Sequence, residues 1–472
     1  MVDISWLPPW AAEGQLALER FSVPHTRGPF RCTRPTLQGF AQLHAGLTRA
    51  QRVLRATPIG EIIAAIDEVS RRWSDRNFEL RRHAVQSVMQ ATGFSSEVIE
   101  RSFDIELRNY RADSLTRTLR RELGDPAVLD GFVPDRQLDG HTLAIGPTIT
   151  LVVLSGNVPG LPALSIVRAL LLKSAVIAKV ASGEPTFAAH FARSLHDALP
   201  VLGDALAISY WQRTEQSVQS AAFEISDAVI AYGNAEACAH VRSQLRSDQR
   251  YIEHGHKLSL GLISLDYLRE LGVEEVARRI AEDVSTFNQH ACIAPQAYLI
   301  EDRQGSAREL GGALARALAR YAEHCPLGVL DEAEAAALQL RRAAGAWQAA
   351  SNPDAEHWQA SGVDWTLQLT RELMPLSAAG HRDLRLVACT DLRDAIAKLA
   401  PIGHHLQNVG LGVLSHELFD TASALARIGA CRISEPGHMA EPSLIWRHDG
   451  EACLARLVRF CDIEMHRSVR AS

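Results

Sequence analysis

The fold class can be inferred from the segment Thr148-Ile-Thr-Leu-Val-Val-Leu154, an apolar run without a charged residue. Three similar runs follow along the chain, and we predict that each forms a strand: Ala175 to Val180, Ala205 to Tyr210 and Ala228 to Tyr232. Short runs rich in β-branched residues, without polar alternation, are typical of strands buried on both faces. The pattern therefore predicts a parallel sheet.

Amphipathic stretches separate these runs, and we predict helices near 160–173, 185–199, 215–223 and 235–246. Strands that alternate with helices indicate a parallel sheet wound with crossover helices, an architecture that binds nucleotides at the carboxyl ends of its strands. A second α/β stretch is predicted from Leu258 onward, with a helix at Ala307 to His324. Leu330 to Ser361 is predicted to be a surface excursion.

Composition narrows the functional classes. The chain has 49 basic and 55 acidic residues, a formal charge of -6, and no dense Lys/Arg cluster, so no nucleic-acid partner is expected. Its eight cysteines form no C-x-x-C pair, which predicts reduced thiols in a cytoplasmic protein without a metal site. The apolar stretch Leu143 to Ala181 is broken by prolines and charges, so no membrane span is expected. The start, Met1-Val2-Asp3, lacks the features of a secretory signal.

One cysteine lies in an informative context, Phe287-Asn-Gln-His-Ala-Cys292-Ile-Ala-Pro295. A helix is predicted to give way here to a strand at Gln296 to Ile300. A thiol at such a junction can be exposed and electrostatically tuned, as a nucleophile requires. For an isolated cysteine, the alternative of a small buried apolar side chain would be favoured.

The F-N-Q-x-x-C pattern resembles the nucleophile motif of the aldehyde dehydrogenase superfamily. Further segments resemble motifs of that superfamily in the same order, over roughly residues 143 to 434: Val176 to Pro185, Val229 to Asn234, Ile252 to Lys257, Leu411 to Leu414 and Gly429 to Ile433. Their shared order makes coincidence a poor explanation. The resemblance implies an aldehyde dehydrogenase-like α/β fold, with a Rossmann-type cofactor domain and an α/β catalytic domain.

Within the superfamily the chain most resembles the LuxC-like long-chain acyl-CoA reductases of bacterial luminescence systems. Three features support this resemblance: the segment Ser155-Gly-Asn-Val-Pro-Gly160, a long N-terminal region, and an ending that contains Gly437-His-Met439 and His448-Asp-Gly450. We therefore expect a mostly helical region at 1–130, a cofactor domain at 131–255 joined by part of 436–472, a catalytic domain at 256–435, and a C-terminal segment at 436–472.

The resemblance implies reduction of an acyl thioester, carried by CoA or an acyl carrier protein, to an aldehyde in fatty acid metabolism. Cys292 would form the acyl-enzyme, while Asn157 and the backbone N-H of Cys292 would hold the oxyanion. The alternative for Asn157 is a turn residue before a helix that begins with proline. Family members associate into oligomers, so a homo-oligomer is expected.

The same resemblance places Lys179 at the adenosine ribose and Gly233-Asn234 under the cofactor diphosphate. Ser182 stands where relatives that prefer NAD often carry a glutamate, so NADPH is favoured, with NADH as the alternative. Arg213 is a candidate partner for the 2′-phosphate. An exposed surface role is the alternative for Arg213 and for Lys179.

Glu253 occupies the position of the base that hydrolytic relatives use to activate water. Two other functions therefore stay open: an NAD(P)-dependent aldehyde dehydrogenase that produces the acid, and a catalytically idle scaffold of the same fold. In a reductase, Glu253 could instead move a proton. Histidines 254, 256 and 290 are interpreted as structural, and Glu372 is a candidate contact of the nicotinamide ribose.

Overall fold

A computed structural model of the chain describes residues 1–12, 16–373 and 380–464. The chain divides into two compact units. The first unit contains residues 1–92, 106–255 and those from 443 onward, and the second contains 93–105 and 256–442. The domain boundaries expected from the sequence stay a prediction, because compactness alone does not define which segments bind substrate or cofactor.

The helices are, in chain order, α1 (Pro9–Ala12), α2 (Leu37–Ala56), α3 (Ile59–Ser74), α4 (Glu79–Thr92), α5 (Ser96–Leu107), α6 (Ala112–Leu123), α7 (Pro162–Leu171), α8 (Phe187–Ala198), α9 (Pro200–Asp204), α10 (Gln216–Glu224), α11 (Ala235–Ser243), α12 (Leu265–Leu271), α13 (Val273–Ser285), α14 (Ser306–His324), α15 (Glu332–Ser351), α16 (Leu392–Leu399) and α17 (Ser415–Ile428). Within the described residues, no helix is both long and apolar enough to cross a bilayer.

The strands are β1 (Leu18–Val23), β2 (Phe30–Pro35), β3 (Val133–Asp135), β4 (Gly140–Ile145), β5 (Ile149–Val153), β6 (Ala175–Lys179), β7 (Leu206–Ser209), β8 (Ala228–Tyr232), β9 (Arg250–His254), β10 (Leu258–Ile263), β11 (Pro295–Glu301), β12 (Glu356–Gln359), β13 (Thr366–Thr370), β14 (Asp383–Cys389), β15 (Leu406–Gly412), β16 (Arg432–Ser434) and β17 (Arg459–Glu464). They form a large sheet in each unit, and two smaller sheets in the first unit.

The central sheet of the first unit has the order β7-β6-β5-β8-β9, and all of its neighbours are parallel. The strands predicted from the sequence are confirmed, each within one residue at either end. Their interiors are almost fully buried, which explains the continuous apolar runs. Because the winding direction reverses beside β5, the carboxyl ends of β5 and β8 flank the crevice where such sheets bind ligands.

The sheet of the second unit has the order β12-β13-β14-β11-β10-β15-β16 and is parallel except for the β12–β13 pair. The segment at 330–361 lies largely at the surface, as predicted, but it is not irregular. This segment forms the long helix α15 and the edge strand β12. Its periodicity is hard to read because the buried side of α15 consists of Leu338, Arg342 and Gly345 instead of an apolar stripe.

Candidate active site

Cys292 follows a tight reversal of the chain in the second unit. Helix α13 ends at Ser285, and the next residues include three consecutive left-handed conformations, at Phe287 (φ 55°), Asn288 (φ 51°) and Gln289 (φ 65°). A left-handed backbone costs roughly 1–2 kcal/mol per non-glycine residue, so three in succession require strong support from their surroundings. The reversal lets β11 begin at Pro295, and Cys292 is half-buried between the two elements.

Asn288 is fixed by partners that are distant in sequence. Arg382 donates to its Oδ1 from Nε (3.1 Å) and Nη2 (2.8 Å). The backbone N-H of His381 donates to its carbonyl oxygen at 2.8 Å, and its own Nδ2 donates to the carbonyl of Leu327 at 2.9 Å. The Oδ1, the Nδ2 and the carbonyl oxygen of this strained residue therefore all have specific partners.

Gln289 is held in the same way. Its Oε1 accepts from the backbone N-H of Asp383 at 2.7 Å, and its Nε2 donates to the carbonyls of Pro295 (2.8 Å) and Asp383 (3.0 Å). The carbonyl oxygen of Cys292 accepts from Ser259 Oγ at 2.6 Å. The backbone on both sides of the thiol is thus anchored. Arg382 and Asp383 could not be predicted from the sequence, because nothing in the local pattern links them to a motif 94 residues earlier.

The other cysteines differ from Cys292 in exposure. Cys32 and Cys389 are fully buried, and burial raises the pKa of these thiols to about 11 and about 12. Of the described cysteines, only Cys292, Cys431 and Cys461 are not buried. Since the thiolate is the nucleophile, the buried thiols are poor candidates. Cys431 offers a matched comparison for Cys292.

Asn157 lies in the first unit, on an exposed turn between β5 and α7. Its Oδ1 accepts a hydrogen bond from Ser155 Oγ. A Cβ atom at Gly156 would lie 2.8 Å from both Ala181 Cβ and the backbone nitrogen of Glu184, so only glycine allows this turn to pack on the turn after β6. The turn role weighed for Asn157 is therefore observed. Its role as an oxyanion donor stays a prediction.

A cleft of about 420 Å³ opens at the carboxyl ends of β5, β6 and β7. Three of the predicted cofactor residues line it together: Lys179, Ser182 and Arg213. Trp211 forms part of the wall, and the Lys179 Nζ lies 5.8 Å from the centre of its ring. No aspartate or glutamate belongs to the described lining. The cleft thus presents two cationic side chains and no carboxylate.

Glu184, an acid two residues after the lining residue Ser182, is engaged elsewhere. Glu184 is buried, and its Oε1 accepts from Thr186 N (2.7 Å), Thr186 Oγ1 (2.6 Å) and Phe187 N (3.0 Å) at the start of α8. Ser182, by contrast, is exposed. Burial lowers the pKa of Lys179; Glu215 opposes this effect and Arg213 adds to it.

Gly233 and Asn234 follow β8 and open α11 as predicted. Asn234 is the N-cap, and its Oδ1 accepts from Ala237 N at 2.8 Å. The backbone N-H of Gly233 donates to the carbonyl of His254 at 3.2 Å. In the first turn of the same helix, Glu236 forms an ion pair of 2.7 Å with Arg213. Arg213 therefore links the cleft to the helix terminus.

Glu253 lies on β9 and forms an ion pair of 2.5 Å with Arg242 of α11. The pair is partly exposed to solvent. This contact gives Glu253 a structural role in the first unit. Its catalytic role remains a prediction. The other acidic candidate, Glu372, is exposed; Met374 and Pro375, which follow it, lie outside the described residues.

His254 has an acidic partner, Asp449, that was not predicted from the sequence. Its Nδ1 lies 2.8 Å from Asp449 Oδ2, and its ring stacks on that of His448, with the ring centres 4.1 Å apart and the planes 23° apart. The three side chains could together approach a metal ion. However, a metal ion binds in the plane of an imidazole ring, and two stacked rings cannot both offer their lone pairs to one ion. The geometry suits a hydrogen-bonded histidine stack, and burial lowers the pKa of both histidines.

Comparison with solved structures concerns the fold. The chain resembles aldehyde dehydrogenase 21 from Physcomitrella patens, with a TM-score of 0.73 and 12% identity, covering 100% of this chain and 99% of that one. It also resembles an NADP-dependent enzyme of E. coli, with a TM-score of 0.69 and 13% identity over 95% of each chain. The predicted aldehyde dehydrogenase-like fold is confirmed.

Comparison of sequences is more specific. The chain is 24% identical over 414 residues to long-chain acyl-protein thioester reductase 2 of Photobacterium leiognathi, covering 86% of this chain and 82% of the relative. The corresponding reductase of Aliivibrio fischeri matches with the same identity and coverage. Residues 54–460 match the family model described as acyl-CoA reductase (LuxC). The chain is therefore an oxidoreductase of the LuxC acyl-CoA reductase family.

Proposed function

We propose that this protein reduces an acyl thioester to the aldehyde, with NADPH as the reductant and Cys292 as the nucleophile. The observation that carries the proposal is the strained turn before Cys292, which Arg382 and Asp383 hold from a distant part of the chain. Strain of this kind is retained where the surroundings enforce it, often at active sites. The names of the relatives agree with thioester reduction.

In the proposed reaction, the Cys292 thiolate attacks the thioester carbonyl carbon and forms a new carbon–sulfur bond. We assign the oxyanion to the Asn157 carboxamide and the Cys292 backbone N-H. Collapse of the tetrahedral species breaks the original carbon–sulfur bond, and the departing thiolate takes up a proton. When bound, the nicotinamide cofactor supplies the hydride that reduces the acyl group. Release of the aldehyde returns Cys292 to its thiolate form.

The choice of NADPH rests on the cleft beside β6. Its lining contains Lys179 and Arg213 but no described carboxylate, and Glu184 is engaged in capping α8. A cleft of this charge favours a 2′-phosphate over an unmodified ribose hydroxyl. The first turn of α11, which begins after Gly233 and Asn234, offers N-H groups suited to a diphosphate.

Mass spectrometry of the intact protein tests the proposal. The protein is mixed with a panel of acyl-CoAs and acyl carrier proteins, without any nicotinamide cofactor, so that a covalent acyl adduct accumulates. We expect the adduct on the wild type and on Cys431→Ala, and none on Cys292→Ala. An adduct on Cys292→Ala, or its loss from the matched Cys431→Ala control, would contradict the assignment. The panel also reveals the preferred chain length and whether CoA or a carrier protein is the donor.

Cytoplasmic location and homo-oligomeric assembly, both expected from the sequence, belong to the same proposal. The described cysteines are all free thiols, as a reducing compartment would keep them. Sedimentation of the purified protein would measure its oligomeric state directly.

A further inference from the structure

The proposed 2′-phosphate contact, Arg213, is not free in this structure. Its Nη2 pairs with Glu236 Oε1 at 2.7 Å, and both side chains are more than half exposed. Arg213 lines the cleft, whereas Glu236 belongs to α11. The ion pair thus connects two places where a dinucleotide would carry phosphate: the adenosine ribose at the cleft and the diphosphate at the helix terminus.

Glu236 also occupies the electrostatic environment that suits an anion. It is the second residue of α11, directly after the N-cap Asn234 and Ala235. The free N-H groups and the dipole of a helix stabilise negative charge in the first turn. The Glu236 carboxylate lies in this field. A diphosphate placed there would meet its negative charge at close range.

We infer that Glu236 is a specificity-determining residue, whose carboxylate competes with the phosphate groups of the cofactor for Arg213 and for the first turn of α11. The inference rests on the proposed use of NADPH. When the 2′-phosphate binds, Arg213 exchanges one anionic partner for another. Glu236 therefore weakens the binding of every nucleotide, and it weakens the binding of those with a 2′-phosphate most.

The size of the effect follows from the exposure of the pair. An exposed ion pair changes an equilibrium by at most about fivefold. Glu236 is thus a competitor that a phosphate can displace, and it does not close the cleft. A 2′-phosphate carries close to two negative charges and presents several acceptor oxygens to the guanidinium, so it outcompetes the carboxylate.

Binding of nucleotide fragments tests the inference without catalysis. Calorimetry compares adenosine 2′,5′-bisphosphate with 5′-AMP on the wild type, Glu236→Gln, Arg213→Gln and the double variant. We expect Glu236→Gln to bind the bisphosphate about three- to fivefold more tightly than the wild type does, with a smaller gain for 5′-AMP. The extra gain for the bisphosphate should vanish in the Arg213→Gln background.

Asp248→Asn is the matched control, because it removes an exposed carboxylate that pairs with Arg246 away from the cleft lining. It should leave both affinities unchanged. An unchanged ratio of bisphosphate to 5′-AMP affinity in Glu236→Gln would overturn the inference, as would an extra gain that survives without Arg213. A wild type that binds 5′-AMP more tightly than the bisphosphate would instead contradict the proposed NADPH preference, and the variant ratio would still decide the role of Glu236.

Discussion

Arg382 donates two hydrogen bonds to one atom, Asn288 Oδ1, and through it holds the left-handed turn that precedes Cys292. The Arg382 side chain is completely buried, and its guanidinium lies 5.2 Å from the centre of the Tyr321 ring; within the described residues no carboxylate forms an ion pair with it. Burial lowers the pKa of its guanidinium. Burying a charge without an ionic partner costs free energy. The hydrogen bonds to Asn288 offset part of this cost, and they also hold the turn.

Replacing Arg382 with methionine should relax the turn, because Asn288 loses both donors while the left-handed residues keep their intrinsic cost. We expect kcat and the rate of Cys292 alkylation to fall by about tenfold or more, and the affinity for adenosine 2′,5′-bisphosphate to stay close to that of the wild type. Steady-state kinetics, iodoacetamide labelling and calorimetry provide these measurements.

The control for this variant is Arg342→Met. Arg342 is also buried in the second unit, but it donates to Thr366 Oγ1 and to the carbonyls of Gly362 and Trp365. Both variants should lose stability, since Arg382 donates two hydrogen bonds and Arg342 donates three. Equal losses of thiol reactivity in the two would show that Arg382 has no specific effect on the nucleophile.

Asn157→Ala tests the proposed oxyanion donor. Its amide would act on a charge that develops only in the transition state, so the change should lower kcat much more than it raises KM. The loss of one such donor typically reduces the rate roughly a hundredfold to a thousandfold. If the variant instead unfolds or loses only substrate affinity, Asn157 acts solely through the turn between β5 and α7.

Ser182→Glu tests whether Ser182 lies beside the adenosine ribose of the cofactor. A carboxylate there would accept hydrogen bonds from the ribose hydroxyls of NADH and repel the 2′-phosphate of NADPH. We expect the ratio of specificity constants to move towards NADH by at least about tenfold. Kinetics with both cofactors give the ratio. A wild type that prefers NADH, or a ratio that does not move, would show that Ser182 does not face the ribose.

We expect the buried carboxyl group of Glu106 to make the free energy of unfolding depend on pH. Burial raises its pKa to about 7, against an ordinary value of 4.5, and Arg108 only partly opposes the effect. The folded protein therefore keeps a proton that the unfolded chain loses, and the free energy of unfolding falls as pH rises from about 4.5 to about 7. The shift corresponds to about 3 kcal/mol.

Glu106→Gln should remove this dependence, because glutamine resembles the protonated acid and does not titrate. Urea unfolding at pH 4.5 and pH 8 measures the difference. The variant should match the wild type at the lower pH and be more stable at the higher one. Equal stability of the two proteins at pH 8 would rule out an unfavourable buried charge at Glu106.

The sequence predicted the elements whose pattern is local. The strands from Ile149–Val153 to Ala228–Tyr232 are buried on both faces, so their apolar runs are unbroken and their ends are clear. Helix α15 was missed because an arginine and a glycine share its buried side, and Leu340 and Trp347 are exposed. Hydrophobic periodicity does not indicate a helix that buries polar or small residues and exposes large apolar ones.

Candidate site residues could be proposed from the sequence only where they belong to a motif. Cys292, Lys179 and Ser182 belong to recognisable segments, and the structure gathers the last two in one cleft. Arg382 and Asp449 act through contacts with residues 94 and 195 positions earlier, which a single sequence does not reveal. The pairing of Arg213 with Glu236 is hidden for the same reason.

The path of the chain also constrains the order in which the protein can mature on the ribosome. Glu122 accepts hydrogen bonds from the backbone N-H groups of Cys453, Leu454 and Ala455, and β17 pairs with β4. These partners are translated after the whole of residues 256–442, which form most of the second unit. During synthesis of the second unit, β17 does not yet exist, so one edge of β4 in the nascent first unit stays unpaired. Such an edge can pair with other chains, so chaperones that bind nascent chains should matter most during this interval.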